Sequence, residues 1–126
     1  MSDATRARVW RWVAIVLLVA LCGLGLNSAR DDWTHTTDFG QRLQVAAQFA
    51  YGVAGLLAAL TLAMRSPLAR HFFRMFAVAA VVAAGLAPVV WGESAWWTGI
   101  LAAFGGALIA WLLWLPFKRG EAPTAE

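Results

Sequence analysis

The amino-acid sequence predicts an all-α integral membrane protein, a four-helix transmembrane bundle with both termini in the cytoplasm. Of its 126 residues, 61% are hydrophobic and 13% are charged, whereas soluble domains average about 45–50% apolar and roughly 25% charged residues. A soluble domain of this length has too much surface for its volume to bury so many apolar side chains. Two further observations support the prediction, namely the long uncharged stretches and the uneven distribution of the basic residues between the connections.

Four stretches lack charged residues: 12–29, 43–64, 75–92 and 94–117, which contain 18, 22, 18 and 24 residues. A bilayer core about 30 Å thick takes roughly 20 residues of helix, with a tolerance of about 17–25. None of the stretches alternates as a transmembrane β-strand would. We therefore predict helical spans over about residues 10–29, 42–64, 72–92 and 95–117. Together they form a single domain over residues 1–126, with a flexible polar tail at 120–126.

The ends of the predicted helices have local sequence features. Asn27 is a poor residue for the position three before a signal-peptide cleavage site, so the first helix is expected to be retained. Asp38 is expected to be the N-cap of the second helix, with Gln41 completing a capping box. Pro67 ends the second helix and Pro88 loosens the third near its outer end.

Small residues recur along all four predicted helices, where they allow the close backbone approach on which helix association in lipid depends. We interpret them as contacts within the bundle first and between subunits second. They are Gly23 and Gly25, then Gly52 and Gly55, then Ala79, Ala83 and Ala87, and finally Ala102, Gly105, Gly106 and Ala110.

The basic residues predict the orientation. Eight of the ten lie in the N-terminal segment, the connection between the second and third helices, and the C-terminal segment, and only Arg30 and Arg42 lie on the other side. Because short cytoplasmic segments carry the excess of Lys and Arg, both termini are expected in the cytoplasm. The small size, this asymmetry and the Ala-, Arg- and Trp-rich composition indicate a bacterial inner membrane. The eight tryptophans fall near the two predicted interfaces, where indole rings are stable.

A stripe of polar residues along the second helix is the main candidate site. Gln41, Gln44, Gln48 and Tyr51 recur at spacings of three and four and therefore share one face. Three amides and a phenol are costly in lipid, so this face is expected to point into the bundle or an outward-facing cavity. One interpretation is a network of hydrogen bonds between helices, and the other is a small pocket for a polar or lipid-like ligand. Expected neighbours from other elements are Asn27, Ser28, Thr98 and, at the mouth, Arg42, Glu93 and the outer tryptophans.

A second candidate site is a basic cluster between the second and third helices. Arg65, Arg70 and Arg74 are expected to contact anionic lipid headgroups, each contributing about 1 kcal/mol. The basic charge is divided among three short membrane-flanking segments, so a nucleic-acid partner is not expected.

Few residues suit metal, cofactor or proton chemistry. Asp31, Asp32, His35 and Asp38 are ligand types for a divalent metal, but capping by Asp38 and solvation of Asp31 and Asp32 explain them better, so no metal site is predicted. No histidine lies within a span to hold a haem, and Cys22 is the only cysteine. No charged residue lies in the middle of a span, which disfavours proton-coupled transport.

The sequence therefore predicts a non-catalytic accessory or scaffolding subunit of a membrane assembly, without a cofactor. Its expected partners are the lipid bilayer and another membrane protein or a second copy of itself. The alternative is a small permease-like or ligand-binding bundle with an outward-facing polar pocket on the second helix. A third hypothesis, a membrane enzyme or redox accessory that uses residues 31–38, has no catalytic motif to support it.

Overall fold

The computed structural model describes residues 2–92 and 95–121, and these residues form four helices. The helices are α1 (Asp3–Trp33), α2 (Phe39–Ala63), α3 (Leu68–Val90) and α4 (Trp96–Glu121). Each is long and apolar enough to cross a membrane. The predicted all-helical architecture and the number of helices are confirmed. The predicted tail is corrected in part, because residues 120 and 121 belong to α4, while residues 122–126 lie outside the described residues.

Helix α1 is longer than predicted at both ends. It begins at Asp3, where the hydroxyl of Ser2 accepts a hydrogen bond from the backbone N–H of Thr5 at 3.2 Å. It continues through the charged residues 30–32 to Trp33, and the backbone N–H of Thr34 then donates to the carbonyl of Asp31 at 3.2 Å. Charge limits which residues enter lipid but does not limit helix formation, so the connection to α2 shortens to residues 34–38.

Helix α2 begins at the predicted cap. The Oδ1 atom of Asp38 accepts a hydrogen bond from the backbone N–H of Gln41 at 2.8 Å. In return, Oε1 of Gln41 accepts from the backbone N–H of Thr37 at 2.7 Å. A capping box would place that second bond on Asp38 itself, so the reciprocal bond reaches one residue further back than predicted.

The end of α2 adopts a Schellman motif. The backbone N–H of Ser66 donates to the carbonyl of Thr61 at 2.8 Å, and that of Arg65 donates to the carbonyl of Leu62 at 3.1 Å. Arg65 has a φ of 58°, the left-handed conformation that this motif requires and that glycine usually supplies. Helix α2 therefore ends at Ala63, before the effect of Pro67 is reached.

The four helices form a ring in which α1 packs on α2 and α4, and α3 also packs on α2 and α4. Neighbouring helices run in opposite directions. We call the end where α1 begins and α4 finishes the terminal end, and the end that carries residues 34–38 the loop end. Helix α3 continues through Pro88 to Val90 at the loop end, so this proline does not terminate it.

The core lies towards the terminal end and is aromatic. The ring of Phe73 lies 4.6 Å from that of Phe117, 5.4 Å from that of Phe76 and 5.4 Å from that of Trp114, measured between centroids. Leu18 of α1 and Leu62 of α2 are buried in the same cluster. All four helices therefore converge at this level.

Towards the loop end, α1 packs closely on α2 through glycines. A Cβ atom added to Gly52 would lie 2.6 Å from Cγ of Leu26, and one added to Gly55 would overlap the Sγ atom of Cys22. Cys22 is a free, buried thiol and its Sγ–H donates to the carbonyl of Tyr51 at 3.7 Å. The predicted role of these two glycines as contacts within the bundle is confirmed.

Helix α4 packs on α3 in the same manner. A Cβ atom added to Gly99 would lie 2.7 Å from the carbonyl oxygen of Gly85, and one added to Gly106 would lie 2.9 Å from Cβ of Ala84. By contrast, Gly23 and Gly105 have open space where a Cβ would be. The small residues therefore divide into a set that closes helix pairs and two glycines on the outer surface.

Replacing Gly55 by alanine should destabilise the bundle by about 1–3 kcal/mol, because the new methyl group overlaps Cys22 and Phe76. Adding Cys22→Ala should restore part of the loss by removing Sγ. The measurement is unfolding by SDS titration in mixed micelles, followed by circular dichroism. Gly105→Ala is the matched control and should be neutral or stabilising by up to about 1 kcal/mol. Equal losses for the two glycines would contradict the assigned packing.

Candidate functional site

Gln41 ties the beginning of α2 to the end of α3. Its Nε2 atom donates to the carbonyl of Val90 at 3.3 Å. Val90 is the last residue of α3, so its carbonyl has no partner within the helix. Gln41 thus satisfies an open helix end while its own Oε1 accepts from Thr37.

Gln44 is buried and its amide is paired at both ends. Its Nε2 atom donates to the carbonyl of Ala83 at 3.1 Å, and its Oε1 atom accepts from the indole Nε1–H of Trp91 at 2.9 Å. Trp91 was predicted only as an interfacial residue and not as a partner of Gln44. That pairing depends on the register between α2 and α3, for which the sequence has no local marker.

Gln48 is the exception in the stripe. Its Oε1 atom is buried and has no hydrogen-bond partner in the described part of the chain. Leaving such an acceptor unpaired costs about 1–3 kcal/mol. Gln48 lies nine residues after Phe39, which places it about 14 Å along the axis of α2. The unpaired acceptor is therefore near the middle of the bundle.

Tyr51 links three helices. Its ring meets that of Phe76 edge-on, with centroids 6.1 Å apart and an interplanar angle of 70°. Its hydroxyl occupies the space beside Gly25 of α1, where a Cβ atom would overlap it. The glycine at position 25 is therefore required for the tyrosine to reach α1.

Gln44, Gln48 and Tyr51 line a groove of about 200 Å³. Three seams around it are closed, by Gly25 and Tyr51 between α1 and α2, by Gln44 and Ala83 between α2 and α3, and by Gly106 and Ala84 between α3 and α4. The groove is partly open to the surface. Because the α1–α4 pair is the one without such a contact described at this level, we infer that the groove opens between these two helices. The remaining lining residues are Leu21 of α1, Phe76, Ala80, Ala83, Ala84 and Ala87 of α3, and Gly106 and Ile109 of α4.

Gln41 does not line the groove, and neither do the described neighbours that were predicted from other elements. Asn27 lines a separate surface depression with Ser28, Arg30, Asp31 and Thr34, because it follows Gly25 by two residues and so lies about 200° around α1. The hydroxyl of Thr98 donates to the carbonyl of Ala95, three residues earlier on its own chain. Asn27 and Thr98 therefore lie outside the groove, and Glu93 lies outside the described residues.

The predicted basic and acidic residues are also distributed differently. The guanidinium of Arg70 lies 5.8 Å from the centroid of the Trp114 ring, and the side chains of Arg65 and Arg74 are exposed. Nδ1 of His35 lies 3.0 Å from a backbone oxygen of Asp31. Within residues 2–92 and 95–121, no three His, Cys, Asp or Glu side chains are placed to hold a metal ion.

Comparisons of the chain with protein-family models, with curated proteins and with solved structures found no match. The candidate site therefore rests on the geometry of the groove.

Substitution by leucine should change the free energy of unfolding in opposite directions at Gln44 and at Gln48. Gln44→Leu removes two hydrogen bonds and leaves the indole N–H of Trp91 without an acceptor, so the free energy of unfolding should fall by about 1–2 kcal/mol. Gln48→Leu removes an unpaired acceptor and should raise it by about 1 kcal/mol. SDS titration of both variants provides the measurement, and each is the other's control for size and hydrophobicity. Similar losses in both would show that Gln48 has a partner within the bundle.

Proposed function

We propose that the protein is a non-catalytic accessory subunit that binds a transmembrane helix of a larger membrane protein at the groove between α1 and α4. The unpaired Oε1 atom of Gln48 at the base of this groove carries the proposal. Buried acceptors are nearly always paired in a complete structure. A side chain of the partner, inserted into the groove, would supply the missing donor.

The depth of Gln48 favours a helix as the occupant. Its acceptor lies about 14 Å from the start of α2 and about 9 Å along the axis from Arg42, inside a hydrocarbon layer about 30 Å thick. The polar groups of a phospholipid lie at the surface of the bilayer, whereas a transmembrane helix carries side chains at every depth. A Ser, Thr, Tyr or Trp side chain reaches Gln48 from a helix that lies along the seam.

The size of the groove supports the same occupant. At about 200 Å³ it is smaller than typical small-molecule pockets of about 300–1,000 Å³ but larger than the ~150 Å³ cavity that accepts benzene. One large side chain fits this volume.

Gly105 would allow the backbone of a partner helix to pack closely against α4. It precedes Ile109 by four residues, so it lies on the same side of α4 as the groove, and it has open space around its Cα. Small residues of this kind allow helices in lipid to pack closely. The accessory-subunit proposal thus explains an exposed glycine that has no role within the bundle.

The second candidate function is that of a ligand-binding or permease-like bundle. The groove is mainly apolar and offers one free acceptor, which suits a small lipophilic molecule that carries a hydroxyl or N–H group. Such a ligand would enter from the lipid through the same open seam.

We further propose that the helices span a bacterial inner membrane with the terminal end in the cytoplasm. Large apolar side chains are exposed all around the bundle, among them Leu24 at 70% and Phe104 at 68%. Water is an unfavourable environment for a surface of this kind. The eight basic residues in the terminal segments and the α2–α3 connection, against two on the other side, support the orientation.

A photo-crosslinking amino acid, benzoylphenylalanine, placed at position 109 tests the proposed interface in native membranes. We expect one protein adduct of defined mass, and we expect its yield to fall severalfold when Gln48→Leu is added. The matched control is the same amino acid at position 108, since Leu108 is equally exposed but about 100° away around α4. Equal adducts from the two positions, or an adduct that is unaffected by Gln48→Leu, would contradict the accessory function. An adduct with a small lipophilic molecule would support the second candidate instead.

Reporter fusions test the orientation. Alkaline phosphatase, which is active only outside the cytoplasm, should be inactive when fused to the C-terminus and active when fused after Thr36. A cytoplasmic fluorescent reporter at the same two positions should give the opposite pattern. Phosphatase activity at the C-terminus would overturn the argument from charge.

A further inference from the structure

We propose that the outer face of α1 binds the same face of a second copy of the chain, with Asn27 at its centre and Arg30 and Asp31 on either side. Asn27 follows the buried Leu18 by nine residues and so lies about 180° around α1 from the core. It lies about 120° from Leu21, which lines the groove. The inference therefore rests on the proposed membrane insertion but not on a partner at the groove.

Asn27 is a polar side chain on a surface that is expected to face lipid. Among the described residues of the four predicted spans, Asn27 and Ser28 are the only exposed side chains that carry an amide or a hydroxyl group. Asn27 lies about 9 Å along the axis from Trp33, whose indole suits the level of the headgroups. Its amide forms no hydrogen bond within residues 2–92 and 95–121. An amide below the headgroups is costly unless a partner pairs with it.

Arg30 and Asp31 are exposed charges of opposite sign that do not pair within the chain. Consecutive residues of a helix point about 100° apart, so the two side chains do not face each other. Neither forms an ion pair in the part of the chain that the structure describes. Both line the surface depression beside Asn27, which leaves room for side chains from another molecule.

The two charges make this face complementary to itself. Relative to Asn27, Arg30 lies about 60° to one side of α1 and Asp31 about 40° to the other. Copies inserted in the same orientation place their α1 helices parallel, related by a two-fold axis along the membrane normal. That axis sets Asn27 against Asn27, whose amide both donates and accepts. It also sets Arg30 of each copy beside Asp31 of the other, so two ion pairs form.

Small residues allow the two helices to approach each other. Ala20 and Gly23 are exposed and lie within about 40° of Asn27 around α1. A Cβ atom added to Gly23 would meet no atom within 4 Å. Amides bond between helices in lipid where small residues permit such close backbone contact. The open space at Gly23, which the bundle does not use, therefore belongs to the proposed contact.

Disulfide crosslinking in native membranes tests this face. Ala20→Cys lies near the midline of the contact, so oxidation should yield a covalent dimer. The matched control is Val19→Cys, which is also exposed but lies about 80° from Asn27 around α1, and it should crosslink at least about fivefold more slowly. The unaltered protein provides the background, because its single cysteine, Cys22, is buried.

Charge reversal in the Ala20→Cys protein tests the two ion pairs. Arg30→Asp or Asp31→Arg alone sets like charges against each other at both contacts, so the initial rate of dimer formation should fall about tenfold. Combining Arg30→Asp with Asp31→Arg restores opposite charges and should return the rate to within about twofold of the original. A loss that the second reversal repairs is not a folding defect.

The proposal is overturned if Ala20→Cys and Val19→Cys crosslink at the same rate, because the contact is then unspecific. It is also overturned if the combined reversal is as slow as either single one. An adduct with a different protein in place of the dimer assigns this face to that protein and excludes self-association. None of these results changes the adduct expected at position 109, and a failure of membrane insertion itself would appear in the reporter fusions.

Discussion

The close approach of helices at glycine residues is the constraint on which the rest of this structure depends. Helices in lipid gain little from the hydrophobic effect on associating, so they must gain from packing. Gly52 and Gly55 bring α1 onto α2, while Gly99 and Gly106 bring α4 onto α3. Helix α1 is thereby packed on α2, and α4 on α3. Helices α1 and α4 meet at the terminal end, where Gly120 crosses Arg11. The groove beside Gln48 is the space that these two close pairs leave between them.

Much of the fold was predictable because charge and local capping are encoded by neighbouring residues. The uncharged stretches located all four helices, and Asp38 located the start of α2. The extension of α1 to Trp33 was not predicted, because charged residues mark where a segment is unsuited to lipid, whereas a helix needs only its backbone hydrogen bonds. The common face of Gln41, Gln44 and Gln48 was predictable from spacing. The hydrogen-bond partners of these glutamines were not predictable, because bonds to α3 depend on the register between α2 and α3.

The different environments of these three glutamines follow from their distance from the C-terminal end of α3. Gln41 faces the last residue of α3, whose carbonyl is free to accept. Gln44 lies within reach of the indole N–H of Trp91, just beyond that end, and of a carbonyl that accepts a second bond. Gln48 lies a turn deeper, where the N–H groups of α3 are used within the helix and the groove side chains of that helix are alanine and phenylalanine. No donor for its Oε1 is available from α3 at that depth.

This difference bears on why residue 48 is a glutamine at all. Leucine has a similar size, favours the helix and would leave no acceptor unpaired, so the stability of the isolated bundle favours leucine at this position. The same comparison applies at Arg65, where glycine would suit the left-handed backbone better than arginine does. Positions at which local physical preferences are violated without compensation inside the fold are expected to be functional. Gln48 offers a hydrogen-bond acceptor in the groove that the described chain leaves unused. The accessory function that we propose would satisfy this acceptor with a donor from a partner helix within the apolar layer.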